Sequence, residues 1–163
     1  MVFQGKGQEW WVIGDFKYWW HWDPNEAEQF IELREIVWYG RKEIMVRDHE
    51  GGSGMAETTL SIYRMQDERL YRVFRTLEDG SYSNGGTSEY EHRTLEYPEH
   101  GLEAPAFLVA RYVKRTEPAE GGRPVRVMRK CSVFRWDAAG FAFVGDKAAT
   151  PKLCSEPTTT PSP

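Results

Sequence analysis

Leu60-Ser61-Ile62-Tyr63-Arg64-Met65, a turn at Gln66-Asp67, and then Leu70-Tyr71-Arg72-Val73 form the stretch whose pattern decides the fold. Apolar side chains recur at every second residue on both sides of a short polar turn. That period belongs to two antiparallel strands, each burying one face. A second stretch repeats the pattern at a constant offset of 71 positions: Cys131-Ser132-Val133-Phe134-Arg135-Trp136, a turn, and Phe141-Ala142-Phe143-Val144. The match puts Cys131 in the slot of Leu60, where a buried thiol serves as a small hydrophobe. It also puts Arg64 and Arg135 in equivalent positions, which their charge predicts to be outward.

Working outward, Phe30 to Tyr39 alternates toward a turn at Gly40-Arg41-Lys42, and Glu43-Ile44-Met45-Val46-Arg47 follows as a strand. Residues 24–37 carry two signals. Asp23-Pro24-Asn25-Glu26 has the cap, proline and glutamate of a helix start, whereas Ile36-Val37-Trp38-Tyr39 is β-branched and aromatic, which favours a strand hairpin. Gly51-Gly52-Ser53-Gly54 reads as a loop. Ser88 to Tyr97 and Phe107 to Lys114 are further strands, and Asp137-Ala138-Ala139-Gly140 is the turn of the second hairpin. Near the start, Trp10, Val12, Gly14, Phe16, Tyr18, Trp20 and Trp22 share one parity, with a break expected at Gly14-Asp15.

The run Phe30-Ile31-Glu32-Leu33-Arg34-Glu35, Gly40 to Arg47 and Leu60-Ser61-Ile62-Tyr63-Arg64 resembles degenerate FG-GAP or VCBS-type β-repeats of exported bacterial proteins. Val133-Phe134-Arg135-Trp136-Asp137 resembles their closing strand. The resemblance implies propeller-blade-like units and a calcium-binding acidic turn, which would fall at Trp38 to Lys42; no carboxylate stands there, so calcium is not expected. Two repeats cannot close a propeller. The expected fold is therefore all-β, with two related antiparallel hairpin units packed as a sandwich or partial barrel. Its expected bounds are an N-terminal extension over 1–8, one β domain over 9–148 with halves near 30–77 and 106–145, and a C-terminal tail over 149–163.

The chain has 163 residues, 40% of them hydrophobic, and a net charge of -4. That length can bury a core unaided, and the charge argues against nucleic acid as a generic partner. No run of about 18 apolar residues spans a bilayer. Met1-Val2-Phe3-Gln4-Gly5-Lys6-Gly7 has no leader-type apolar region. The expectation of a periplasmic or secreted protein rests instead on the Pro/Thr/Ser-rich tail from residue 156, read as disordered, and on Cys131 and Cys154, which would pair in an oxidising compartment.

Candidate chemistry is sparse. Trp11 and Trp19 share the polar face with His21 and are the expected ligand-binding residues, since exposed indoles stack on sugars or grip apolar side chains. Arg111, Lys114, Arg115, Arg123, Arg126, Arg129 and Lys130 make a basic stretch. Within it, Arg111 and Arg115 straddle a strand end and Arg126 and Lys130 share a parity, so these four are candidates for an anion. Asp48-His49-Glu50 offers metal-ligand types, but strand neighbours point to opposite faces. The glycines at 51–54 lack the Lys-Ser/Thr of a phosphate-binding loop, and no G-x-S-x-G elbow is present. No cofactor or metal is called for. The expected role is non-catalytic binding or scaffolding with a glycan or protein partner. The competing readings are a glycan-acting hydrolase and a lipocalin-like barrel for an apolar ligand.

Overall fold

A computed structural model describes residues 2–6, 9–14, 31–38, 41–97, 107–118, 125–150 and 154–155, with side chains described from residue 31 onward except at 38 and 41. The described residues form strands β1 (Val2–Lys6), β2 (Glu9–Gly14), β3 (Ile31–Trp38), β4 (Arg41–Gly52), β5 (Met55–Gln66), β6 (Arg69–Ser83), β7 (Thr87–Glu96), β8 (Phe107–Pro118), β9 (Arg126–Asp137) and β10 (Ala142–Gly145). β1 and β2 make a two-stranded ribbon. β3 to β10 make one antiparallel sheet in which every strand lies beside its neighbours in sequence. The fold is all-β, as the alternation required, and a strand occupies residues 31–38. β2 ends at Gly14, where the sequence pattern put a break.

The two hairpins are both present, and they differ. β5 and β6 pair Arg64 with Tyr71 and Gln66 with Arg69. Asp67 and Glu68 form the turn, both at positive φ (49° and 61°), as the two central residues of a type I′ turn must be. β9 and β10 instead pair Arg135 with Val144 and Asp137 with Ala142 around a longer turn. There the Asp137 side chain accepts from the Ala139 amide at 3.1 Å. The residues expected as a loop at 51–54 are another tight turn: Gly51 and Gly52 complete β4, while Ser53 (φ 43°) and Gly54 (φ 87°) turn the chain. A side chain at Gly54 would meet the Ser83 carbonyl at 3.0 Å, and the Ser83 amide donates to the Gly54 carbonyl at 2.7 Å.

Each hairpin turns a different parity to the core. Leu60 and Ile62 are buried, together with Ile36, Met45, Val73, Phe74, Leu108 and Phe143; in the second hairpin it is Phe134 and Trp136 that pack on this cluster. The sheet coils enough to bring β10 onto β6. Phe74 meets Phe134 and Phe143 edge-on at 4.9 and 6.1 Å, and Trp136 meets Phe143 at 5.3 Å, a geometry that adds about 0.5–1.5 kcal/mol per pair beyond area burial. Among the described residues β3 and β10 do not pair, so the sheet is open rather than a closed lipocalin-like barrel. Val109 and Val133, cross-strand partners on the face that carries Cys131, are also buried. Cys131 is bonded to Cys154 with a Cα separation of 5.9 Å, which pins the C-terminal segment to that face.

Arg64 departs from expectation. It is 7% exposed, lying on the parity of Leu60 and Ile62, and its guanidinium sits 5.3 Å from the Trp136 ring and 5.8 Å from that of Phe141. Arg135 is the outward one, half exposed and 3.5 Å from Asp146.

Candidate binding edge on strand β9

Side chains alternate across a strand, and cross-strand partners share a face, so the register assigns every basic residue of β8 and β9 to a side. β8 pairs with β9 from Phe107↔Arg135 to Thr116↔Arg126 without a shift. Arg126, Met128 and Lys130 therefore stand on one face beside Thr116, Lys114 and Tyr112. Arg115 stands on the other, beside Val127, and Arg129 stands on that face too, beside Val113. Arg111 shares the second face and opposes Cys131. The four anion candidates are thus split two and two.

Their electrostatic states also differ. Arg111 is committed to Glu96 through Nε–Oε1 at 2.5 Å. Lys114 is held by Glu89 (2.7 Å) and Glu91 (2.9 Å), and these hydrogen bonds raise its pKa, holding it charged. Burial and a hydrogen bond to Glu91 raise the pKa of Tyr112, and the Arg93 guanidinium stacks 5.4 Å from the Tyr112 ring. By contrast Arg115, Arg126, Arg129 and Lys130 are exposed and, among the described residues, have no ion-pair partner. Arg126 and Met128 close one side of a notch of about 280 Å³ completed by Glu89, Tyr112, Lys114 and Thr116.

Three of these four cations, Arg126, Arg129 and Lys130, stand on a stretch of β9 that forms an edge, and Arg115 lies one strand in, beside Val127. β10 covers β9 only from Phe134 to Asp137, and the Asp146 amide reaches the Val133 carbonyl at 2.7 Å. Along residues 126–132 the outer side of β9 has no strand partner among the described residues. Arg129 belongs to the basic stretch of the sequence but not to its four anion candidates. Its parity differs from that of Arg126 and Lys130, which excludes it from a site on one sheet face; on an edge strand both parities reach the same solvent.

The other expected positions lie elsewhere. Trp11 is in β2 opposite Gln4, and Trp19 and His21 fall outside the described residues. His49 opposes Thr58 in the β4–β5 ladder, 3.2 Å from its hydroxyl, which leaves Asp48 and Glu50 pointing to the opposite face. Among the described residues no three ligand-type side chains converge as a metal site requires. On the face of His49, His92 contacts Asp79 through Nδ1 at 2.5 Å and the Thr94 hydroxyl through Nε2 at 3.2 Å. The order of these bonds is that of a catalytic triad. The His92 and Asp79 side chains are 60% and 55% exposed, so water competes for the bond that should orient the ring, and the neighbouring depression of about 320 Å³ is a shallow one on the sheet surface.

No family model, curated protein or solved structure matches the chain.

Proposed function

We propose that this domain is a non-catalytic binding module of the cell envelope or extracellular space that takes an anionic partner along the basic edge of β9. The observation that carries the reading is the set Arg115, Arg126, Arg129 and Lys130: four exposed cations without ion-pair partners among the described residues, three on the open stretch of β9 and Arg115 beside them on β8, in a chain whose net charge is -4. Elsewhere on the sheet, half-buried cations are matched, as Lys114 is by Glu89 and Glu91 and Arg47 is by Glu78 at 2.6 Å. A matched pair on an outer face contributes under about 1 kcal/mol and needs no partner. An unmatched cluster of one sign carries a local field that steers an opposite charge. The disulfide supports an oxidising compartment.

The test is binding at low and at physiological salt to sulfated oligosaccharide and to acidic peptide, with Arg126→Glu and Arg129→Glu beside the unaltered chain. Binding that falls with salt and with either substitution supports the reading. Absence of binding to both probes at low salt rejects it.

A further inference from the structure

The basic edge has a property that a basic patch on a sheet face does not have: its cations project to both sides of the sheet. Arg126 and Lys130 lie on one face, and Arg129, with Arg115 in the next row, lies on the other. A helix or a polyanion laid on either face meets half of them. An extended strand continuing the sheet at β9 sends alternate side chains to both faces, lies beside Arg126, Arg129 and Lys130, and has Arg115 one strand further in. The rim between the charges is apolar, with Val125 at 70% and Val127 at 43% exposure, as suits cross-strand packing. Along residues 126–132 the backbone on this side pairs with no described strand, and unpaired strand edges are templates for strand addition.

From these observations we infer that the anionic partner proposed above is an acidic, extended polypeptide segment that docks as an added strand on β9. The inference rests on that reading and specifies its chemistry. Backbone hydrogen bonds supply the common part of the affinity, and carboxylates of both parities supply the selection. A segment of about seven residues spans the open stretch at roughly 3.3 Å per residue. Carboxylates four apart on one face match Arg126 and Lys130, and carboxylates of the other parity match Arg129 and Arg115. The same cations act as a guard against pairing with a second copy of β9, because like charges would then oppose each other.

The experiment uses the full oxidised chain and the labelled peptide Thr-Glu-Glu-Val-Glu-Glu-Thr. A second peptide of the same sequence is N-methylated at alternate residues, so that it keeps its charge but loses the amides facing β9; a sulfated oligosaccharide serves as a polyanion without strand geometry. The expected result is that the first peptide binds and N-methylation weakens it by roughly tenfold or more. Arg126→Glu and Arg129→Glu, on opposite faces, should each weaken it as well, and bound peptide should slow hydrogen exchange of amides within residues 126–132. Equal binding of both peptides, or sensitivity to only one of the two substitutions, overturns strand addition while leaving anion binding intact. No binding of peptide or oligosaccharide at low salt overturns both.

Discussion

Arg64 donates through Nη1 to Oε1 of Glu43 at 2.8 Å, joining β5 to β4 with both side chains under 10% exposed. The other carboxylate oxygen accepts from the Ile36 amide at 2.8 Å. Glu43 thus links three strands, and Arg64 extends the link by lying against Trp136 and Phe141 of the second hairpin. Burial nevertheless outweighs these partners and raises the Glu43 pKa above the ordinary glutamate value. The pair orients the strands more than it stabilises them, the usual balance for ions removed from water.

Removing one partner should therefore be far worse than removing both. Arg64→Met strands the Glu43 carboxylate and is expected to cost about 3–5 kcal/mol at neutral pH, whereas Glu43→Gln with Arg64→Met, which keeps an acceptor for the Ile36 amide, should recover most of that loss. A carboxyl raised by folding contributes stability that is present below the unfolded value, about pH 4.3, and lost as pH rises through the folded value. Without Arg64 the rise is greater, so the deficit of the single variant should be largest at neutral pH and shrink on acidification. Urea midpoints from pH 4 to 7.5 measure it; a deficit that grows toward pH 4 contradicts the assignment.

Glu68 sits at φ 61° in the second position of the β5–β6 turn, where a side chain is strained and glycine is not. Glu68→Gly creates the Asp-Gly pair that type I′ turns prefer. The variant should gain up to about 1 kcal/mol, or 2–4 °C in melting temperature. A lower melting temperature would show that the Glu68 side chain contributes more than its backbone conformation costs.

Tyr97 lies with its ring 4.6 Å from the Arg34 guanidinium. Burial pushes its phenol up to about 12, against the opposing pull of Arg34 and Arg47. A neutral phenol favoured by folding stabilises the native state below the unfolded value near pH 10 and ceases to do so as pH rises toward 12. Absorbance titration at 295 nm should show a component with a midpoint near pH 12 that Tyr97→Phe reduces, leaving the share of Tyr82, whose phenol its hydrogen bond to Glu57 also pushes up to about 12. Loss of that variant's signal near pH 10 instead would refute the shift.

The Cys131–Cys154 bridge closes a sequence separation of 23 residues. Replacing both cysteines by serine should cost about 3 kcal/mol through the greater freedom of the unfolded chain. Thermal unfolding of the oxidised chain, the reduced chain and the double serine variant checks this. Equal midpoints for oxidised and reduced protein would mean that the bond constrains nothing.

Much of the sheet was readable because its determinants are local. Apolar residues recurring along Thr58 to Met65 and Val125 to Trp136 mark β5 and β9. Arg64 was misread although alternation places it with Leu60 and Ile62. Its charge argued for solvent, and the compensating carboxylate, Glu43, lies 21 residues away in sequence with no local sign of the pairing. Ile31 and Leu33 look like core yet are 45% and 58% exposed, because the register shifts between Arg34 and Trp38 and brings Ile36 and Val37 inward. The candidate edge was half legible. The basic composition was visible, but its meaning depends on where β10 stops, and that is a property of pairing rather than of β9 itself.

The strand order of the large sheet has a consequence for how the molecule is made. Because β3 to β10 follow one another without a crossover, each strand finds its partner in the segment just before it, and no early strand must wait for a late one. Short-range closure keeps the entropic barrier low, so assembly can proceed in step with emergence of the chain from a ribosome or a translocation pore. Packing then reaches back across the sheet: β9 and β10 settle against β5 and β6, where Trp136 meets Arg64 and Phe143 meets Phe74, and Cys154 finds Cys131. This packing is finished only when the segment that carries Cys154 arrives.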